Sequence, residues 1–229
     1  MDTASLLEQL KKHQDLEYKQ FHSSLGVNTD LIGVRAPILE QIAKTLAKEN
    51  PIYFLDQYQK TCYETDVIYG FIVGYAKLDY AQKIHYFDKF TSLVDNWATC
   101  DLVCARQKWI KKKENKDRFL SYLSKLWNSK DPWKQRIVYV LLLDHYLEET
   151  YLPTLFQYCD MPYEKSYYVQ MAIAWLLSVM LIHFPDQTEL YLHKSNIDTF
   201  TFNKTLQKAR ESTRISKEKK AYYQTLKRE

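Results

Sequence analysis

Residues 133–143, WKQRIVYVLLL, align without a gap with residues 168–178, YVQMAIAWLLS, at a shift of 35 positions. The same shift applied backwards leads to ATCDLV at residues 98–103 and then to the neighbourhood of Glu64. Applied forwards, it leads to FNKTLQ at residues 202–207. A repeat of this length, with a second and shorter helix in each unit, is typical of solenoids built from pairs of helices.

The composition also favours helices. The 229 residues include only 4 Gly and 6 Pro, and no GxGxxG or GxxxxGK motif is present, which argues against a nucleotide-binding doubly wound fold. Few glycines also predict few β-turns. We therefore predict an all-α chain, and because no linker or low-complexity segment interrupts it, residues 1–229 are expected to form one domain.

The remaining elements follow from apolar spacing and from proline. An amphipathic helix is predicted over residues 2–20 and a loop over residues 23–35, which includes Asn28. Pro37 and Pro51 each fit the first turn of a further helix. Shorter helices are expected between the repeat helices, at about residues 80–90, 116–127, 150–158 and 186–193.

Aromatic and charged residues recur at the repeat spacing. Trp97 precedes Asp101 by four positions, which places both side chains on one face of a helix, about one turn apart. Arg136 is the repeat equivalent of Asp101, and Trp175 lies one turn beyond the next equivalent, Met171. Stacked helical pairs commonly use such a row as a concave binding surface, so we expect these side chains to converge in one groove.

The same residues allow plainer interpretations. A tryptophan on a helix is often part of the core. Asp101 could instead cap its helix, as could Thr99, or it could bridge to Arg136. His145 and His183 occur in apolar segments and are predicted to be core residues. No Ser/His/Asp, Cys/His or paired-carboxylate arrangement indicates nucleophilic catalysis.

Positive charge is concentrated near the end of the sequence. The net charge is only +4, yet nine lysines and arginines stand against two acidic residues between Lys204 and Arg228. This segment, which includes Lys208, is either a solvated face or a set of phosphate contacts, and it suggests a polyanionic partner. The KKK run at residues 111–113 is interpreted as a solvated loop.

The four cysteines are predicted to be small buried residues of a reduced protein, because no CxxC and no clustered histidines offer a zinc site. The first 20 residues mix charges, so no signal peptide is expected. The longest apolar stretch, residues 172–182, is too short to span a bilayer. A soluble, cytoplasmic protein is expected.

Three motifs together resemble a known family, the DNA alkylation repair family of HEAT-like-repeat glycosylases (AlkD-type). They are NWATCD at residues 96–101, PWKQR at residues 132–136 and AIAW at residues 172–175. The resemblance extends from LIGVRAP at residues 31–37 to FNKTLQK at residues 202–208. It implies an all-α solenoid of HEAT-like two-helix repeats with a concave groove.

The resemblance also implies a function. Such enzymes remove cationic N3- or N7-alkylated purines from duplex DNA without extruding the base into a pocket, and they need no metal or other cofactor. By position, Asp101 corresponds to the catalytic carboxylate, and Trp97 and Trp175 to the aromatic residues that contact the sugar of the lesion. Arg136 corresponds to an arginine that contacts the DNA backbone; Lys204 and Lys208 are further candidates from the basic segment. A monomer is expected.

The sequence departs from the family pattern at two places. Ala98 and Cys100 replace residues that vary around the tryptophan and aspartate, and Phe21-His22 stands where a Tyr-x-Lys pattern is expected. Some branches of the family bind DNA without excising bases. Three functions therefore stay open: a glycosylase, a non-catalytic binder of distorted or branched DNA, and a protein-interaction scaffold.

Overall fold

A computed structural model describes residues 2–27 and 29–229 of the chain. Within these residues there are fourteen α-helices, two short 3-10 helices and no strand, which confirms the all-α prediction. Asn28, which belongs to a predicted loop, lies outside the described residues. The α-helices are α1 (Thr3–Lys11), α2 (Leu16–Ser24), α3 (Ala36–Glu49), α4 (Pro51–Gln57), α5 (Tyr63–Tyr75), α6 (Tyr80–Thr91), α7 (Trp97–Cys104), α8 (Lys113–Trp127), α9 (Pro132–His145), α10 (Leu152–Asp160), α11 (Tyr167–His183), α12 (Pro185–Lys194), α13 (Thr199–Glu211) and α14 (Lys217–Thr225).

The predicted repeat helices are present in the predicted register. They begin at Tyr63, Trp97, Pro132, Tyr167 and Thr199, at intervals of 34, 35, 35 and 32 residues. Asp101, Arg136 and Met171 are each the fifth residue of their helix, as the alignment requires. The helices predicted at Pro37 and Pro51 and the shorter helices between the repeats are also found, as α3, α4, α6, α8, α10 and α12.

The single helix predicted over residues 2–20 is wrong, because two helices, α1 and α2, occupy this region. The Asp15 side chain caps α2 by accepting a hydrogen bond from the Tyr18 amide, 2.9 Å away. The Asp15 amide in turn donates to the Gly33 carbonyl at 2.9 Å. Leu16, which the pattern assigns to an apolar face, is 62% exposed. The loop after α2 consequently begins at Leu25 rather than at Ser23.

The chain divides into two compact units, one ending at Tyr122 and one covering Leu123–Glu229. In the first unit α5 is the central helix, and its residues from Tyr63 to Val73 are all buried. It packs against α3, α6 and α7. A helix that is buried on every side needs no polar face, which explains why its sequence carries no charged residue from Val67 to Val73.

The contact between α5 and α7 depends on Gly70. A Cβ atom at this position would lie 2.4 Å from Cγ1 of Val103 and 2.9 Å from Cε2 of Phe90. Real side chains do not approach so closely, so α7 would have to move away from α5 to accept a methyl group.

We expect Gly70→Ala to lower the free energy of unfolding by about 1–3 kcal/mol, because it overpacks a buried helix contact. Urea denaturation followed by circular dichroism measures the change. Val103→Ala removes the two methyl groups that a new Cβ would meet, so the double variant should lose less than the sum of the single losses. If the losses in the free energy of unfolding are strictly additive, the contact between residues 70 and 103 is not the cause of the destabilisation by Gly70→Ala.

In the second unit, α11 packs against both α9 and α13. Two glutamines that the repeat alignment superimposes make equivalent contacts here. The Gln135 side-chain oxygen accepts from the Glu164 amide at 2.8 Å, just before α11. The Gln170 side-chain nitrogen donates to the Asp198 carboxylate at 3.0 Å, and Asp198 caps α13. Each glutamine therefore fixes the start of the next repeat helix.

Several smaller predictions can be compared with the structure. All four cysteines are free and buried, as predicted. His145 is buried, as predicted, but His183 is exposed at the end of α11, so its assignment to the core is wrong. Lys111–Lys113 are exposed, but only Lys112 lies outside a helix, because Lys111 ends a 3-10 helix and Lys113 begins α8. None of the helices in the described part of the chain is long and apolar enough to cross a membrane.

Candidate active site

Helix α7 carries the tryptophan and the carboxylate that the sequence singles out. Asn96 caps this helix: its backbone is extended, and its side-chain oxygen accepts from the Thr99 amide at 2.8 Å. Trp97 is therefore the first residue of the helix, and Asp101 follows one turn later on the same face. The interpretations of Asp101 or Thr99 as the capping residue are wrong.

Trp97 is partly exposed and held at its polar edge, so it is not a core residue. Its indole N–H donates to the carbonyl of Leu25 at 3.2 Å. The ring of His22 meets it edge-on, with the centroids 6.4 Å apart and an angle of 78° between the planes. Both contacts come from the end of α2 and the residue that follows it, so α2 determines how the indole is oriented.

The position of α2 depends on a buried carboxylate, Glu64, in the first turn of α5. This side chain is fully buried, with 0% exposure. It accepts hydrogen bonds from three consecutive amides, those of Ile32, Gly33 and Val34, at 2.6–3.2 Å. Three amides directed at one carboxylate form an anion-binding nest. The negative charge also lies at the amino end of α5, where the helix dipole stabilises it.

Gly33 connects this nest to α2. Its φ of +98° is in the region that favours glycine, and a Cβ there would lie 2.6 Å from the Asp15 carbonyl oxygen and 2.7 Å from Cβ of Lys19. The loop therefore packs directly on the first turns of α2. A salt bridge of 2.8 Å between Arg35 and Asp15 joins the same two segments at the surface. Its exposure makes its contribution small.

An aromatic cluster of Tyr18, His22, Tyr63 and Trp97 lies between α2, α5 and α7. The His22 ring lies 4.9 Å from Tyr63 in an edge-to-face arrangement and 5.4 Å from Tyr18. Burial lowers the pKa of His22 below its ordinary value, and the negative charge of Glu64 opposes that change only in part. At neutral pH we therefore expect the imidazole of His22, which contacts the indole of Trp97, to be uncharged.

Asp101 is partly exposed, as Trp97 is, and the two side chains lie on one side of a short, capped helix. A carboxylate at the surface of an otherwise well-packed unit can interact with a positively charged ligand. An indole face one turn away can interact with the same ligand through its π electrons. The arrangement is therefore suited to a cationic or electron-poor group.

The other predicted site residues belong to the second unit. Trp175 on α11 is partly exposed, which excludes the core interpretation for it as well. Arg136 on α9 is only 5% exposed, and its Nη1 donates to the Tyr168 carbonyl at 2.8 Å. Lys204 and Lys208 are partly exposed and lie one turn apart on α13.

The residues that support Trp97 were not predicted from the sequence. Leu25, His22 and Glu64 contribute a carbonyl, a ring and a carboxylate to its setting. One signal was available for Glu64, since an acidic residue at the start of an otherwise apolar helix requires a partner. The Leu25 carbonyl offers no such signal, because any residue has one.

The fold and the site define an all-α protein whose helices follow a 35-residue sequence repeat and which carries an indole–carboxylate pair at the start of one helix. The sequence model of a family described as DNA alkylation repair enzyme matches residues 5–219. The chain therefore belongs to the DNA alkylation repair enzyme family, and the resemblance carried by its motifs is confirmed. No curated protein matches the sequence. Family membership supports a role in the repair of alkylated DNA.

Proposed function

We propose that this protein is a DNA glycosylase that hydrolyses the N-glycosidic bond of cationic N3- or N7-alkylated purines in duplex DNA. The observation that carries the proposal is the arrangement on α7, where a partly exposed indole with a fixed edge lies one turn from a partly exposed carboxylate. Membership in a family of DNA alkylation repair enzymes supports the choice of substrate.

The chemistry requires little more than these two groups. An alkylated purine already carries a positive charge, so it accepts the electron pair of the breaking C1′–N bond and leaves as a neutral base. Positive charge then develops on the deoxyribose, as in glycoside hydrolysis generally. Asp101 stabilises this charge and orients a water molecule whose oxygen bonds to C1′, while a proton passes from that water to the carboxylate or to solvent.

Trp97 is proposed to contact the sugar of the damaged nucleotide. Its indole face stabilises electron-poor atoms and excludes water from other directions of attack. The Leu25 carbonyl and His22 hold the ring, so little side-chain entropy is lost when the DNA binds. We propose the corresponding role for Trp175 in the second unit.

Lys204 and Lys208 are proposed to contact phosphates, because such contacts position a strand without reading its sequence. Arg136 is assigned to backbone contact by resemblance alone. Its buried guanidinium holds the Tyr168 carbonyl, so within its own unit it also fixes the start of α11.

A non-catalytic binder of distorted or branched DNA is the second candidate. The basic segment that includes α13 and α14 favours it, because that segment would attract any DNA regardless of damage. This candidate requires salt-sensitive binding without release of any base, whereas a protein-interaction scaffold requires no salt-sensitive DNA affinity at all.

Two assays on the wild-type protein separate these functions. Filter binding to duplex DNA at several salt concentrations should show an affinity that falls as salt rises. Chromatography of the supernatant from methylated DNA should show free 7-methylguanine that accumulates in proportion to protein. Binding without base release would support the second candidate, and the absence of salt-dependent binding would support the scaffold.

A further inference from the structure

A cavity in the first unit, away from Trp97, is lined by lysines. It has a volume of about 590 Å³ and is lined by the end of α5, the start of α6, the 3-10 helix Lys108–Lys111 and the start of α8. Among the described residues that line it are four lysines and no acidic residue; the lysines are Lys77, Lys83, Lys108 and Lys112. We refer to it as the lysine cavity.

Lys83 is the buried member of this group, with 4% exposure. Its ammonium group donates to the carbonyl oxygens of Val73 and Gly74, at the end of α5. The ring of Trp109 lies 5.9 Å from the same nitrogen. A buried ammonium held by carbonyls and an aromatic ring keeps a full positive charge only at a cost, unless a counter-charge is close.

Among the described residues, no acidic side chain lines the cavity to supply that counter-charge. None of the four lysines forms a salt bridge with any of the described residues. Burial, and then the nearby charge of Lys112, lowers the pKa of Lys83 to about 8. The amino end of α8, which begins at Lys113, adds further positive potential at the rim. The lining of the cavity therefore combines four lysines with no acidic side chain among the described residues, which favours the binding of an anion.

The surrounding groups indicate which kind of anion fits. Lysine presents a point charge on a flexible stem, whereas planar recognition of a single carboxylate or phosphate favours arginine. Lys77, Lys108 and Lys112 are exposed at the rim, and the cavity is open to solvent. Several flexible charges around a wide opening suit an anion that belongs to a larger chain more than a small enclosed ligand.

The position of the cavity is compatible with the site on α7. Lys108 follows the last residue of α7, Cys104, by four positions, whereas Trp97 is the first residue of that helix. A helix of 8 residues is about 12 Å long, so an anion in the cavity would not compete with a nucleotide at Trp97.

We propose that the lysine cavity binds a backbone phosphate of duplex DNA. The inference rests on the DNA-binding part of the proposed function and not on base excision. It assigns a DNA contact to Lys112, a member of the 111–113 run that the sequence suggested was merely solvated.

The test compares two charge-matched double variants. Lys108→Gln/Lys112→Gln removes two charges that line the cavity, and Lys111→Gln/Lys113→Gln removes two exposed charges from the same segment that do not line it. Filter binding of each to an unmethylated duplex is measured at several salt concentrations. We expect the first variant to lose roughly five- to tenfold in affinity at about 0.1 M salt and to lower the salt slope by about 1–2, with the second close to wild type.

Three outcomes would overturn the proposal. Equal losses in both variants would indicate a general effect of net charge, and no loss in either would exclude a DNA contact. The third comes from inorganic phosphate: if it raises the melting temperature of wild type but not of Lys108→Gln/Lys112→Gln, while both bind DNA equally, the cavity takes a free anion. Because the duplex is unmethylated, a wild-type protein that releases no base would leave this test intact.

Discussion

Asp101→Asn is expected to slow the release of 7-methylguanine from methylated duplex DNA by about 100-fold or more under single-turnover conditions. The substitution keeps the size of the side chain and its place on α7 but removes the negative charge. Stabilisation of positive charge on the sugar is therefore lost in the transition state, while binding of the duplex through phosphates is largely kept. Chromatography of the free base gives the rate, and filter binding gives the affinity.

A matched control is Asp186→Asn, the same chemical change at an exposed position in the first turn of α12. It should release base at the wild-type rate and change the free energy of unfolding by no more than about 1 kcal/mol. Equal base release by wild type and Asp101→Asn would remove Asp101 from the mechanism. A loss of affinity that matches the loss of rate would instead assign Asp101 to binding.

Glu64→Ala is expected to lower the free energy of unfolding by about 3–5 kcal/mol, the largest stability change predicted for this protein. The substitution removes the acceptor of three consecutive amides, at residues 32–34, and leaves the two in buried residues, Gly33 and Val34, without this partner. The loop they belong to packs on α2 through Gly33. Loss of the nest should therefore loosen α2 and, with it, the Leu25 carbonyl that holds Trp97.

Glu64→Gln is the control for this prediction, because it keeps the shape and one acceptor oxygen. It should lower the free energy of unfolding by a smaller amount, about 1–2 kcal/mol, since hydrogen bonds to an uncharged acceptor are weaker than those to a carboxylate. Urea denaturation measures both variants, and fluorescence of Trp97 in a background without the other tryptophans reports whether its environment changes. A loss for Glu64→Ala below about 1 kcal/mol would show that water satisfies the three amides equally well.

The repeat helices could be predicted because local sequence determines where they lie. The spacing of apolar residues indicates each helix, and a proline marks the start of α9, without reference to distant residues. The break between α1 and α2 could not be predicted in this way. It depends on Asp15, whose side chain caps α2 and whose amide bonds to Gly33, eighteen positions along the chain. A tertiary contact here overrides an amphipathic pattern that continues through the break.

In the candidate site, too, the features that depend on local sequence could be predicted and those that depend on distant residues could not. Trp97 and Asp101 follow from one helical turn of sequence, and Asn96 could be recognised as a capping residue. The carbonyl that holds the indole comes from Leu25, 72 positions away, and the nest that supports it joins Glu64 to residues about 30 positions earlier. An acidic residue in a largely apolar helix indicates that Glu64 needs a partner, but a single sequence does not identify which distant residues supply these contacts, so only the structure assigns them.

The most direct measurement quantifies bound DNA and free 7-methylguanine in the same sample of methylated duplex, with wild-type protein in excess. The proposed mechanism predicts that the duplex is bound and that free base then accumulates with first-order kinetics, leaving abasic sites in equal number. A fully bound duplex that yields no more free base than the same DNA without protein would contradict it.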